Sequence, residues 1–343
     1  MFAGILESPS SGGSRGNADA EFSENRVSHS QSVKYSTFGS LGWQVSRISM
    51  GTVELGMPYG FVYDGEPQVP DRREAKRLLL AAFDAGINLV DTSPTYGSAE
   101  VIVGEALKEW HGPEVLIAEK IPTWGDRFAE DVERSLRRLG REWIDLLQVY
   151  SRTADCDVVL RVLEVGRRLV AAGKARALGI TIYDETIGLI AAESEDVRAI
   201  QLPFNLLDRR MASRVIPAAE SRGIAIWTRS ALLKGILTDR RNRSHHGLTD
   251  LVIASNRLAA RCGLRGVPLC QAALRFCLSQ AGIDSVLVGI RNEAELRAAL
   301  ETLESGDNAE WLQDYVYDGD PALLDPRNWD SPNHEKSRRR ERQ

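Results

Sequence analysis

The chain has 343 residues, 43% hydrophobic and 27% charged, with a formal net charge of −5. These are the proportions of a globular protein, and the acidic excess argues against nucleic acid as a partner. No stretch approaches the roughly 20 apolar residues of a membrane span. Residues 1–6 are too short for a secretory signal core, and acidic residues follow soon after. The four cysteines (Cys156, Cys262, Cys270, Cys277) lack CxxC spacing, so reduced thiols and a cytoplasmic location are expected.

Residues 1–33, rich in Ser, Gly, Asn and Glu, are expected to form a disordered leader. Residues 33–38 and 43–48 flank a glycine-bearing turn and predict a hairpin. Apolar runs then recur at residues 47–53, 87–91, 115–120, 144–150, 175–181, 197–202, 224–228 and 285–289. Short runs of this kind fit strands of a parallel sheet covered on both faces. Helical spacing appears between them. Phe128, Val132, Leu136 and Leu139 form one stripe, with Asp126 as N-cap and Gly140 past the end, and Val158, Val162, Gly166 and Leu169 form another. Eight strands alternating with helices is the count of a (β/α)8 TIM barrel, with the hairpin capping its amino-terminal end. A doubly wound sheet is the competitor, but no GxGxxG follows an early strand. The barrel is expected over residues 34–318 and a charged, disordered tail over 319–343. Residues 229–248 form a long connection after the seventh run, of the kind that builds a site or lid.

Three titratable residues stand at the carboxyl ends of successive runs. Asp91 opens Asp-Thr-Ser-Pro-Thr-Tyr96-Gly97, and Lys120 ends the next run. A phenol is a poor acid near neutral pH. An ammonium beside it is expected to favour the phenolate, and a carboxylate is expected to hold that ammonium. Such a trio suits proton delivery to a carbonyl oxygen, and no cluster has metal-ligand spacing.

Taken with Ser135-Leu-x2-Leu139-Gly-x4-Asp145, Gly173-Lys-Ala-Arg-Ala-Leu-Gly-Ile180, Gln201-Leu-Pro-Phe-Asn205 and Gly235-Ile-Leu-Thr238, the trio resembles the aldo-keto reductase superfamily, across about residues 35 to 305. The resemblance implies hydride transfer between a nicotinamide cofactor and a small aldehyde or ketone. Tyr96 is then the general acid, supported by Asp91 and Lys120. It further implies cofactor contacts from Gly51, Thr52, Thr181, Gln201, Asn205 and Trp227, and from Ser230, Leu232, Gly289, Arg291 and Glu295. Trp124 is expected to wall the substrate pocket.

Three departures from the family pattern stand out. Tyr150 occupies the usual histidine position and is assigned to the catalytic set and the substrate pocket, with a hydroxyl but no imidazole. Thr181-Ile182 replaces Ser-Asn. Glu295 falls near the usual arginine for a 2′-phosphate, with Arg291 or Arg297 placed to compensate. NADP(H) is expected first and NAD(H) second. A cofactor-binding regulatory or weakly active protein is the alternative reading, and the sequence assigns no oligomeric state.

Overall fold

The structure, a computed structural model, describes residues 33–61, 69–122, 127–150, 155–243, 246–304 and 309–329. Two short strands, β1 (Tyr35–Phe38) and β2 (Trp43–Ser46), pair antiparallel around a turn that Gly42 closes in the left-handed region (φ 70°). Eight parallel strands then close into a barrel: β3 (Ile48–Gly51), β4 (Leu89–Thr92), β5 (Leu116–Pro122), β6 (Ile144–Tyr150), β7 (Ala175–Thr181), β8 (Val197–Pro203), β9 (Ala225–Arg229) and β10 (Ser285–Gly289). Each pairs with its neighbours in chain order, and β10 returns to β3 through Val286 beside Ile48. The expected TIM barrel and hairpin are both present, and every predicted run overlaps its strand, with β4, β5, β8 and β9 reaching one or two residues past it.

The strands read as continuous apolar runs because both of their faces are covered. β5 is buried along all seven residues. One face meets helices, and the other meets a small interior core of Phe38, Leu89, Leu116, Ala118, Leu146 and Trp227. Phe38 supplies the floor of that core from the hairpin. Its ring lies edge-on to Trp227 at 6.4 Å and stacks on Trp43 at the same distance, and the Ser40 N–H donates to the Gly223 carbonyl (2.6 Å).

The outer helices follow their sequence signals with one adjustment. Helix α1 (Phe128–Leu139) buries the whole predicted stripe, and Gly140 caps it at φ 66°. The expected cap at Asp126 lies outside the described residues. Helix α2 (Cys156–Ala171) instead buries Val159, Val162, Leu163 and Gly166, leaving Val158 and Leu169 half-buried. Gly166 sets that rotation: a Cβ there would stand 2.5 Å from Leu178 Cδ1, so the bare backbone draws that face onto β7.

Two boundaries move. Val33, assigned to the leader, is buried, and the remainder of the leader lies outside the described residues. Residues 319–329, assigned to the tail, include packed side chains: Leu323 and Leu324 are buried and Trp329 stacks on Phe61 (6.1 Å between ring centroids). Apolar anchors hold these residues against the barrel, and composition averaged over a charged tail hides them. Residues 330–343 lie outside the described part.

Removing the floor tests the interior core. Phe38→Ala is expected to cost about 3–5 kcal/mol, the usual range for truncating a fully buried phenylalanine, measured as a shift of the denaturant midpoint.

Candidate active site

The carboxyl ends of the barrel strands open onto a cavity of about 900 Å³. β4 delivers Asp91, only 1% exposed, and β5 delivers Lys120, 4% exposed. The ammonium sits 2.9 and 3.0 Å from the two carboxylate oxygens. Buried charges are tolerated only when their remaining hydrogen-bonding capacity is filled. Here Gln201 and Gln148 each donate from Nε2 to Asp91 Oδ2 (2.9 and 3.2 Å), and Gln201 Oε1 accepts from Lys120 (3.2 Å). The Thr181 hydroxyl faces both glutamine carbonyl oxygens, at 3.0 and 3.2 Å, and donates to one of them.

Tyr96 arrives on a tight turn beyond β4. Its N–H donates to the Ser93 carbonyl and its carbonyl accepts from Ala99 N–H, both at 3.0 Å. Gly97, at φ 58°, meets Gly56 backbone to backbone. A Cβ on Gly97 would stand 2.2 Å from the Gly56 carbonyl oxygen, and one on Gly56 would stand 1.9 Å from the Tyr96 carbonyl oxygen. Only paired glycines permit this approach. The Tyr96 ring lies 5.3 Å from Lys120 Nζ, and its hydroxyl makes no hydrogen bond among the described residues.

The ammonium therefore does not act on the phenol as expected. Burial first, then the Asp91 carboxylate and the Tyr183 and Tyr150 phenols, hold Tyr96 well above a free phenol's range, opposed by Arg229. The reason is positional. Lys120 spends its charge on Asp91, whose own negative charge also reaches the phenol.

Most residues expected on the cavity wall are there. Asp91, Tyr96, Lys120, Tyr150 and Thr181 line one part, and Gly51, Ser230, Leu232, Gly289, Arg291 and Glu295 line the rest. Four are displaced. Gln201 lies beneath Asp91 and Lys120 rather than at the wall. Thr52 is fully buried with its hydroxyl on the Asp91 carbonyl (2.9 Å). Asn205 braces a loop, donating to the Ser230 carbonyl and accepting from the N–H groups of Leu207 and Asp208. Trp227 is a correction: it is wholly buried in the interior core against Phe38, where no ligand can stack on it. Trp124 lies outside the described residues.

The cavity also draws on residues that the sequence reading missed. Tyr183 places its hydroxyl 3.1 Å from that of Tyr150. Arg229, two residues beyond Trp227, lies over the Tyr183 ring at 3.7 Å. Arg240 and Arg291 both donate to Glu295 Oε1 (2.9 Å each). Glu54 is half-buried on the cavity wall beside Gly289, and its Oε2 is buried with no partner among the described residues. A signal existed for Gln148, a lone amide inside the apolar strand Leu146-Leu-Gln-Val-Tyr150. None marked Arg327, which joins the cavity from about 100 residues beyond Arg229.

The family model described as "Aldo/keto reductase family" matches residues 47–309. The chain belongs to the aldo/keto reductase family. Aldo-keto reductase YhdN of Bacillus subtilis is 30% identical to it, over 80% of this chain and 91% of the relative. The NADH-specific methylglyoxal reductase of Escherichia coli is 29% identical, over 79% and 94%. Among solved structures, an aldo-keto reductase from Bacillus halodurans in its holo form superposes with a TM-score of 0.68 at 23% identity, covering 83% of this chain and 98% of that one. As a member of this family, the protein is an oxidoreductase of the kind that works on carbonyl groups with nicotinamide cofactors.

The cavity fits such a cofactor. Its volume suits a large ligand, and Lys234, Arg240 and Arg291 supply cations for phosphates. Ser230, Leu233 and Lys234 all adopt positive φ (60°, 46° and 52°) without being glycine, and strained backbone of this kind gathers at ligand clamps. The buried Glu54 oxygen that lacks a partner among the described residues leaves hydrogen-bonding capacity for a ligand.

Glu54 also gives a pH signature. Burial is the main force raising its carboxyl to about 7, aided by Glu295 and opposed by its own N–H and Arg240. The native state therefore holds a proton that the unfolded chain releases near the ordinary value of 4.5. Stability contributed by this proton is present at low pH and falls as pH rises from about 4.5 to about 7. Glu54→Gln is expected to flatten that part of the profile, read as the difference between variant and wild-type denaturation midpoints. Parallel profiles would contradict it.

Proposed function

We propose that the protein reduces a small aldehyde or ketone to an alcohol, or runs the reverse reaction, with Tyr96 as general acid. The observation that carries this reading is the Tyr96 hydroxyl. Tyr96 lines the cavity, and among the described residues its hydroxyl has no hydrogen-bond partner, beside an ammonium and carboxylate that bond each other. A bound nicotinamide supplies the hydride. As the carbonyl oxygen gains negative charge, Tyr96 hands it a proton. The raised affinity of Tyr96 for that proton keeps it loaded at neutral pH, and an alkoxide is basic enough to take it. Lys120 then steadies the phenolate left behind, and Asp91 and the two glutamines keep the ammonium from turning away. Tyr150 orients the carbonyl through its hydroxyl, with Tyr183 as its hydrogen-bond partner.

NADP(H) is the proposed cofactor, with NAD(H) second. Arg240 and Arg291 converge near the end of β10, which supports a 2′-phosphate there, while Glu295 competes for both. The four cysteines are free thiols, which accords with work in the reducing cytoplasm.

Two measurements test these assignments. Tyr96→Phe is expected to lower kcat by at least about 100-fold while cofactor affinity, read by fluorescence quenching, stays within about twofold. Retained turnover would overturn the role of Tyr96, and cofactor binding without oxidation across a carbonyl panel would favour a regulatory protein. Glu295→Gln is expected to free both guanidiniums and to shift the NADPH-to-NADH affinity ratio about tenfold toward NADPH.

A further inference from the structure

Beside Tyr150 the cavity wall carries a charge that the proposed reaction does not use. Arg229 is 8% exposed, and among the described residues no carboxylate forms an ion pair with it. One terminal nitrogen donates to the Ile182 carbonyl (2.8 Å) and the other to the Ser230 hydroxyl (3.3 Å). Its Nε is buried with no acceptor. A guanidinium has five N–H donors in a rigid fork, and among the described residues three of these find no acceptor. An uncompensated buried cation is unfavourable by itself, and a side chain held there by backbone contacts is ready for a counter-charge from a ligand.

The surroundings fix where that charge points. The guanidinium carbons of Arg229 and Arg327 both lie 3.7 Å from the Tyr183 ring centroid. Two such groups cannot share one face at that distance, so they sandwich the ring. Asp325 answers Arg327 through a fork of hydrogen bonds (2.6–3.0 Å), and Asp91 answers Lys120. Of these five charges Arg229 alone is left over. It belongs to the reacting end of the cavity, because the Tyr183 hydroxyl it stacks beneath is 3.1 Å from Tyr150. The cations Arg240 and Arg291 gather elsewhere, around Glu295 on the helix that follows β10.

We propose that Arg229, clamped against Tyr183, recognises an anionic group on the substrate, so that the preferred carbonyl compound carries a carboxylate or a phosphate. This rests on the carbonyl-reductase reading and names its substrate class. Planar guanidinium forks match both anions in two-point geometry, and Arg327 on the outer face of the ring holds Tyr183 flat for that contact.

Turnover of matched pairs tests it: succinate semialdehyde against butyraldehyde for a carboxylate, and glyceraldehyde 3-phosphate against glyceraldehyde for a phosphate. The wild-type protein is expected to favour at least one anionic member by tenfold or more in kcat/KM, and the favoured pair identifies the anion. Arg229→Gln is expected to cut that ratio at least tenfold, and Arg229→Lys to restore part of it. A wild-type ratio within twofold for both pairs overturns the proposal. So does an unchanged ratio in Arg229→Gln, or a variant whose sole defect is weaker cofactor binding. Should Arg229→Gln fail to fold, Arg229→Lys and the wild-type ratios decide. If no carbonyl is turned over, the catalytic reading fails separately. Calorimetric titration of cofactor-saturated protein with malonate and with inorganic phosphate then still reports the anion site, and no heat with either sinks it.

Discussion

An ion pair buried at the mouth of the barrel organises everything above it. Asp91 and Lys120 have left water almost completely, and their mutual attraction offsets that loss only if every remaining lone pair and proton finds a partner. The partners come from successive strands: Asp91 from β4, Lys120 from β5, Gln148 from β6, Thr181 from β7 and Gln201 from β8. One polar network thus ties five adjacent strands together. Below it the interior is apolar, and above it the cavity begins. The ammonium keeps a single position because three acceptor oxygens surround it.

This network also explains the electrostatics of the phenols. Tyr96, Tyr150 and Tyr183 crowd one end of the cavity, and their fates diverge. Burial, then Tyr183, pushes Tyr150 up to about 12, while Arg229, the Tyr150 hydrogen bond and more distant cations outweigh burial to bring Tyr183 down. The two hydroxyls share one hydrogen bond in which either oxygen can donate, so Tyr183 can accept from Tyr150 or leave its proton free for a ligand. A histidine in place of Tyr150 would have brought a second titratable proton near neutrality. The tyrosine brings a fixed dipole instead.

Much of the architecture was legible because a parallel barrel writes itself as short apolar runs, each buried from both sides. The motif residues Asp91, Tyr96 and Lys120 could be placed because each closes or follows such a run. The supporting groups were harder. Gln148 and Gln201 act on one carboxylate from strands 53 residues apart in sequence, and nothing local to either records that meeting. Trp227 was mistaken for a cofactor contact because depth along a strand is invisible in composition. Two residues later the same strand reaches the cavity, and Arg229 stands there. The Tyr96 environment was misjudged in sign, since proximity of an ammonium was counted without burial and without the Asp91 carboxylate. The last packed segment was hidden by its charged context, although Leu323, Leu324 and Trp329 anchor it.

The pinch of main chain at Gly56 and Gly97 carries one more implication. It joins the loop after β3, which bears Glu54, to the turn that bears Tyr96. With no side chain between them, neither segment can shift independently of the other. The spacing between the segments that bear Glu54 and Tyr96 is thereby a backbone dimension, set by contact rather than by rotamers. A lineage that enlarged either glycine would have to rebuild both loops together, so pocket length in this protein is open to change only in a coordinated step.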